Sequence, residues 1–548
     1  MTRKHSLRSV FFLCAPLMVA SALAAETNKP EAGKPDAAKD TSLFQPQATS
    51  TQATSTEGSV SIGGKTVAYQ AVAGTLVVHP KGWDDTPKPP RQDAKAAGDT
   101  NPAAEASMFY VAYFAKGAPA EGRPVTFLFN GGPGSASVWL HMGAFGPRRV
   151  VTSDNKHTPA APYQLINNDQ SLLDASDLVF IDAPGTGFSR IAGKDKEKSF
   201  YGIDADAHAF AEFITQFLSK YARWNSPKYL FGESYGTTRS AVLANLLESD
   251  YDVDLNGVML LSQILALDLS PDRVEYNPGI DLAYQLALPT YAATAWYHHK
   301  LPGTPPADLP KFLAEVEHFA LTDYPLALQQ GAMLSQSDRD GIVAKLHAYT
   351  GLSEDYIKRA NLRVDGHEFS KNLQSDDGLT TGRLDTRFSG PDLDPLSKGA
   401  EYDPQSAALS SAYVSSFNDY ARRVLKYGDG QAFKSWIRIY RDWNLQHQPP
   451  GADRPLAQTA NVMPDLAAAM KMNPTLKVQL NAGYFDLATP YFEGEYELRH
   501  LPIPAKLQDN IEIKTYQSGH MVYARASALA ELHANAADFI RRTETTFH

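Results

Sequence analysis

The chain has 548 residues, 43% of them hydrophobic and 20% charged, with a formal net charge of −10. That balance describes a large globular fold with room for one big domain and an insertion. An acidic chain without basic blocks argues against nucleic acid as the main partner.

Residues 1–24 read as an export signal. Arg3, Lys4 and Arg8 precede a short apolar stretch broken by Pro16, and Ala22-Leu23-Ala24 fits small-x-small cleavage before Ala25. The stretch is too short and wrongly flanked for a membrane span, and no other stretch is long and apolar enough. The expectation is an exported protein, periplasmic or extracellular, with no span in the mature chain. Cys14, the only cysteine, lies inside the signal, so the mature chain would hold neither disulfide nor thiol nucleophile. Residues 25–57 are rich in Ala, Thr, Ser, Lys, Pro and Gln and read as a disordered leader.

Residues 58–270 read as the first part of an α/β core. "GSVSIGGKTVAYQAVAGTLVV" alternates as hairpins do, and "SMFYVAYFAK" and "PVTFLFN" follow as strands. "DLVFID", "KYLF" and "NGVMLLSQIL" are further strands, separated by helical patterns in "DADAHAFAEFITQFLSKYA" and "YGTTRSAVLANLLE". This βαβ rhythm predicts a mostly parallel sheet covered by helices on both faces. From 271 to 455 the rhythm gives way to a mainly helical insertion. It returns over 456–548 with "LKVQL", "NIEIKTY" and a final helix in "RASALAELHANAADFIRRT".

Gly232-Glu233-Ser234-Tyr235-Gly236 is a G-x-S-x-G corner between a strand and a helix. Such a corner lifts a serine hydroxyl above the sheet and aims the next helix N-terminus at developing negative charge. A serine needs a base, and on this scaffold the partners follow in the order Ser, acid, His after later strands. Asp486 follows "LKVQL" and His520 follows "NIEIKTY", so Ser234, Asp486 and His520 are the candidate catalytic residues. Asp509 and His533 compete less well, since the first precedes its strand and the second lies within the final helix. Gly132 in "FLFNGGPGSASVW" and Tyr235 are the candidate backbone donors for an oxyanion hole. Asp204, Asp206 and His208 resemble metal ligands but do not share a helix face. No metal and no cofactor are expected, and "DAPGTGFS" lacks the Lys-Ser/Thr of a phosphate loop.

"NGGPGSAS", "FGPRRV", "IDAPGTGFS", "GESYG", "YFDLATP" and "SGHMV" resemble, in order and spacing, the serine carboxypeptidase family, over roughly residues 105–265 and 456–545. The resemblance implies an α/β-hydrolase fold with a helical cap, peptide substrates with a free C-terminus, and release of single C-terminal residues. It also implies that Asn130, the Gly131 N–H and Glu233 bind the substrate's terminal carboxylate. A carboxyl group can meet a carboxylate only when one of them holds a proton, which a buried glutamate can supply. Three positions depart from the family: Ser135 stands for the usual cysteine, Ala144 for a usual glutamate, and Tyr523 for a usual proline. Ala144 keeps open an esterase or acyltransferase on the same scaffold. A third reading is a hydrolase-fold binding protein with an unproductive site. The sequence leaves side-chain preference and oligomeric state open.

Overall fold

The computed structural model describes residues 52–83, 104–117, 119, 122–193, 196–272 and 274–544; the stretch read as an export signal, and all but residues 52–57 of the stretch read as a leader, lie outside them. A ten-stranded sheet organises the chain. Its strands are β1 (Ala53–Ile62), β2 (Lys65–Val78), β3 (Glu105–Ala115), β4 (Val125–Phe129), β5 (Asp177–Ile181), β6 (Arg190–Ala192), β7 (Lys228–Glu233), β8 (Gly257–Leu261), β9 (Lys477–Gly483) and β10 (Ile511–Tyr516). They lie in the order β1-β2-β3-β5-β4-β7-β8-β9-β10, with β6 against β3. The first three join antiparallel, β3 meets β5 antiparallel, and every pair from β5 to β10 is parallel.

The apolar runs explain the parallel half. Val125–Phe129 and Gly257–Leu261 are buried at every position, as central strands covered on both faces must be. Along β8, Val258 and Leu260 enter one hydrophobic core while Met259 and Leu261 enter the other. Helix α1 (Ile203–Lys220) packs Phe210, Phe213 and Phe217 into the first core. The long C-terminal helix (Ala526–Thr543) packs Leu529, Leu532 and Phe539 into the second. β10 alternates Ile-Glu-Ile-Lys and closes the parallel edge, only half-buried. With helix α2 (Tyr235–Asp250) leaving the end of β7, this is the α/β-hydrolase arrangement.

One expectation is corrected at the start of order. Residues 53–57, read as leader, form the first half of β1, paired in register from Ala53↔Gly74 to Ile62↔Lys65. Backbone pairing rather than burial holds them, because their side chains are exposed or half-buried. Small polar residues on such a strand leave no apolar signal to read.

The insertion holds helices α3 (Leu282–Tyr297), α4 (Leu309–Leu321), α5 (Asp323–Gln330), α6 (Gln336–Thr350) and α7 (Pro404–Arg423). Two of its non-helical pieces matter for the site. Residues 434–437 form an extended strap: the Ala136 N–H donates to Ser435 O at 3.0 Å, Ile437 N–H to Gly134 O at 2.8 Å, and Gly187 N–H to Lys434 O at 2.7 Å. Residues 383–387 lace the later loops, with the Thr386 N–H on Phe485 O at 2.9 Å, Leu487 N–H on Arg383 O at 3.0 Å and His520 N–H on Leu384 O at 2.6 Å. Among the described residues no helix is long and apolar enough to cross a membrane.

Candidate active site

β7 ends at Glu233 and α2 begins at Tyr235, so Ser234 turns the corner alone, at φ 62 and ψ −131. A non-glycine residue held there stores about 1–3 kcal/mol of strain, which the surroundings must offset. The Ser234 N–H donates to Leu261 O at 2.9 Å, and its carbonyl accepts from Thr237 N–H and Oγ1, both at 2.7 Å. The corner is tight enough that a Cβ on Gly232 would lie 2.2 Å from Gly236 O. Glu233 and Tyr235 are buried, whereas Ser234 is only half-buried and reaches the surface.

Asp486 and His520 come together at the same sheet edge. His520 Nδ1 lies 2.8 Å from Asp486 Oδ2, and both residues are buried. The Asp486 carboxylate also accepts from Ala488 N–H (2.9 Å), Thr489 N–H (3.0 Å) and Thr489 Oγ1 (2.8 Å). These bonds fix its plane, so the ring nitrogen facing it is the protonated one and Nε2 is left as the free base. Burial alone would lower the His520 pKa, but the Asp486 charge and hydrogen bond prevail and raise it. The loop is pinned from beneath: Ser262 Oγ donates to His520 O at 2.7 Å, and a Cβ on Gly519 would collide with Asp385.

The glycine loop after β4 sits against the serine corner. A Cβ on Gly131 would lie 2.4 Å from Tyr235 N and 2.6 Å from Gly236 N, so only glycine admits this approach. Gly132 has φ +110 and follows directly, which brings its segment beside the N-terminus of α2. Asn130 and Glu233 meet below it, with Asn130 Nδ2 donating to Glu233 Oε2 at 2.7 Å. Arg239 anchors this loop, donating to Asn130 O at 2.9 Å while its Nε pairs with Asp206 Oδ2 at 2.6 Å. Burial pushes the Glu233 pKa up to about 7, against the opposing pull of His520 and of hydrogen bonds from Tyr523 and Asn130.

The sequence-derived residues therefore gather at one edge: Ser234 and Tyr235 after β7, Asp486 after β9, His520 after β10, and Asn130, Gly131 and Gly132 after β4. Asp204, Asp206 and His208 diverge instead. They bond His447, Arg239 and Tyr251 respectively, and no group of acidic, His or Cys side chains among the described residues is placed to hold a metal. Sequence reasoning missed Thr489, Ser262, both lacing segments, and the reach of Tyr523 OH to Glu233 Oε2 at 2.8 Å. Only the Tyr523 departure gave any signal.

Residues 92–266 match the serine carboxypeptidase family model. A pheromone-processing carboxypeptidase KEX1 of Yarrowia lipolytica is 31% identical over 141 residues, which is 25% of this chain and 21% of that protein. A serine carboxypeptidase-like 44 of Arabidopsis thaliana is 28% identical over 177 residues, 30% of this chain and 34% of the relative. The aligned stretches thus span only a fifth to a third of these relatives. Among solved structures, a lipase in its open form superposes on 80% of this chain and 96% of that one, at 14% identity and a TM-score of 0.30.

Proposed function

We propose that this chain, whose residues 92–266 match the serine carboxypeptidase family model, releases C-terminal residues from peptides through an acyl-enzyme on Ser234. His520 Nε2 takes the hydroxyl proton as Ser234 Oγ attacks the scissile carbonyl, and Asp486 stabilises the imidazolium. The N–H groups of Gly132 and Tyr235 meet the oxyanion. The C–N bond breaks, the leaving amine takes the proton from His520, and the acyl group remains on the serine as an ester. Water, deprotonated by His520, then attacks that ester and restores the hydroxyl.

The observation that carries the reading is Glu233, a buried carboxyl adjoining the nucleophile with a pKa raised to about 7. A neutral acid there can hydrogen-bond a substrate carboxylate, which a charged one would repel. Asn130 and the Gly131 N–H complete the clamp. Amidating the C-terminus of a good peptide is expected to lower kcat/KM by roughly 10²-fold or more, since buried polar groups are left unpaired. Equal rates on acid and amide would favour the esterase or acyltransferase reading. In either case Ser234→Ala is expected to abolish labelling by a serine-directed phosphonate. Export is part of the proposal, supported by the basic start and small-x-small site of residues 1–24; the purified exported protein should begin at Ala25.

A further inference from the structure

Glu233 has two oxygens in unlike surroundings. Oε2 receives Asn130 Nδ2 at 2.7 Å and Tyr523 OH at 2.8 Å, while no donor among the described residues reaches Oε1. The amide orientation of Asn130 is fixed independently, because its Oδ1 accepts from the Leu140 N–H at 3.2 Å. Its nitrogen can therefore only donate. The Tyr523 phenol likewise faces a carboxyl oxygen and donates its own hydrogen to Glu233 Oε2. An oxygen that accepts two hydrogen bonds is the carbonyl-like one of a neutral acid, so the acid proton belongs on the other.

We propose that Tyr523 is a positioning residue that holds Oε2 as an acceptor and thereby aims the Oε1 hydroxyl of neutral Glu233 at the substrate's terminal carboxylate. The proposal rests on the carboxypeptidase reading. It also accounts for Ala144, which is fully buried and brings only a methyl group where the resembling family usually has a second carboxyl. A phenol from the far end of the chain takes over the pairing with Glu233. The substitution changes the chemistry: two carboxyls can share one proton in either direction, whereas a phenol against a carboxyl donates one way. Burial, with the Glu233 charge adding to it, keeps the phenol far above its ordinary pKa, so it remains a donor across the working range.

The groups that act on Glu233 come from every side. Tyr523 and Asn130 donate to it, His520 favours its anion, Asp486 disfavours it, and Tyr413 of α7 lies within its field. Tyr523 also lines a cavity of about 260 Å³ together with Gly143, Arg149, Tyr413 and Arg525.

The test compares one peptide as free acid and as amide, over a pH series, in the wild type, Tyr523→Phe, Glu233→Gln and the double variant. Tyr523→Phe is expected to lose roughly ten-fold of the acid-over-amide preference, the scale of one buried hydrogen bond. Because the lost bond favoured the Glu233 anion, the alkaline limb for the acid substrate should move up, by about half a pH unit. In Glu233→Gln that limb should vanish, and adding Tyr523→Phe to it should move no limb. An unmoved limb and preference in Tyr523→Phe, or phosphonate labelling that falls in step with peptidase activity, would overturn the positioning role. A wild type without acid preference would instead overturn the carboxypeptidase reading, and this inference with it.

Discussion

Two buried histidines in this protein face carboxylates, and their difference shows what a base must keep. His520 gives Nδ1 to Asp486 and leaves Nε2 without a carboxylate. His447 gives both nitrogens away, Nδ1 to Asp204 Oδ1 at 2.5 Å and Nε2 to Asp465 Oδ2 at 2.8 Å. Burial would lower the His447 pKa, but the two acids together raise it to about 9. A ring clamped at both ends has no nitrogen to lend and holds its proton too tightly to pass it on. The base role proposed for His520 needs that unclaimed end, while His447 ties the end of the insertion to α1 and to the helix Met463–Met472.

This contrast can be broken at either site. His520→Asn, scored by kcat on a good peptide, should cost roughly 10⁴-fold or more while the melting temperature changes little. A small kinetic loss would mean that another group supplies the base. His447→Gln should do the opposite, leaving kcat per folded molecule near wild type but lowering stability by about 3 kcal/mol. That is the low end for breaking a buried pair, because Asp204 keeps 29% of its side chain exposed.

The stability gap should also depend on pH. His447 binds its proton more tightly folded than unfolded, so its contribution is complete below its ordinary value of 6.5 and is lost as pH rises through about 9. Urea titrations at pH 6, 8 and 10 should show the wild type's advantage over His447→Gln shrinking at each step. A constant gap would mean that packing, not charge, holds the tether.

The same contrast separates what was legible in the sequence from what was not. Ser234 and Asp486 sit just past buried strands and His520 just past an alternating one, so local pattern and order locate them. The sheet itself was readable because its central strands are unbroken apolar runs. His447 offered no such signal, since Asp204 lies 243 positions away in sequence and nothing around His447 is periodic. Tyr523 stands in a legible motif, but its contact with Glu233 spans 290 positions. The pieces at 383–387 and 434–437 use backbone groups, so almost any side chains could do their work. Their identities carry no trace of it.

The strap at 434–437 has a consequence for the timing of activity. The loop carrying Gly131 and Gly132 emerges early, yet its backbone partners on the strap follow some three hundred positions later, and His520 later still. A nascent or truncated chain holds its serine without the scaffold to use it. On the proposed mechanism, catalytic competence therefore waits for nearly the whole chain, set by the order in which its parts are made.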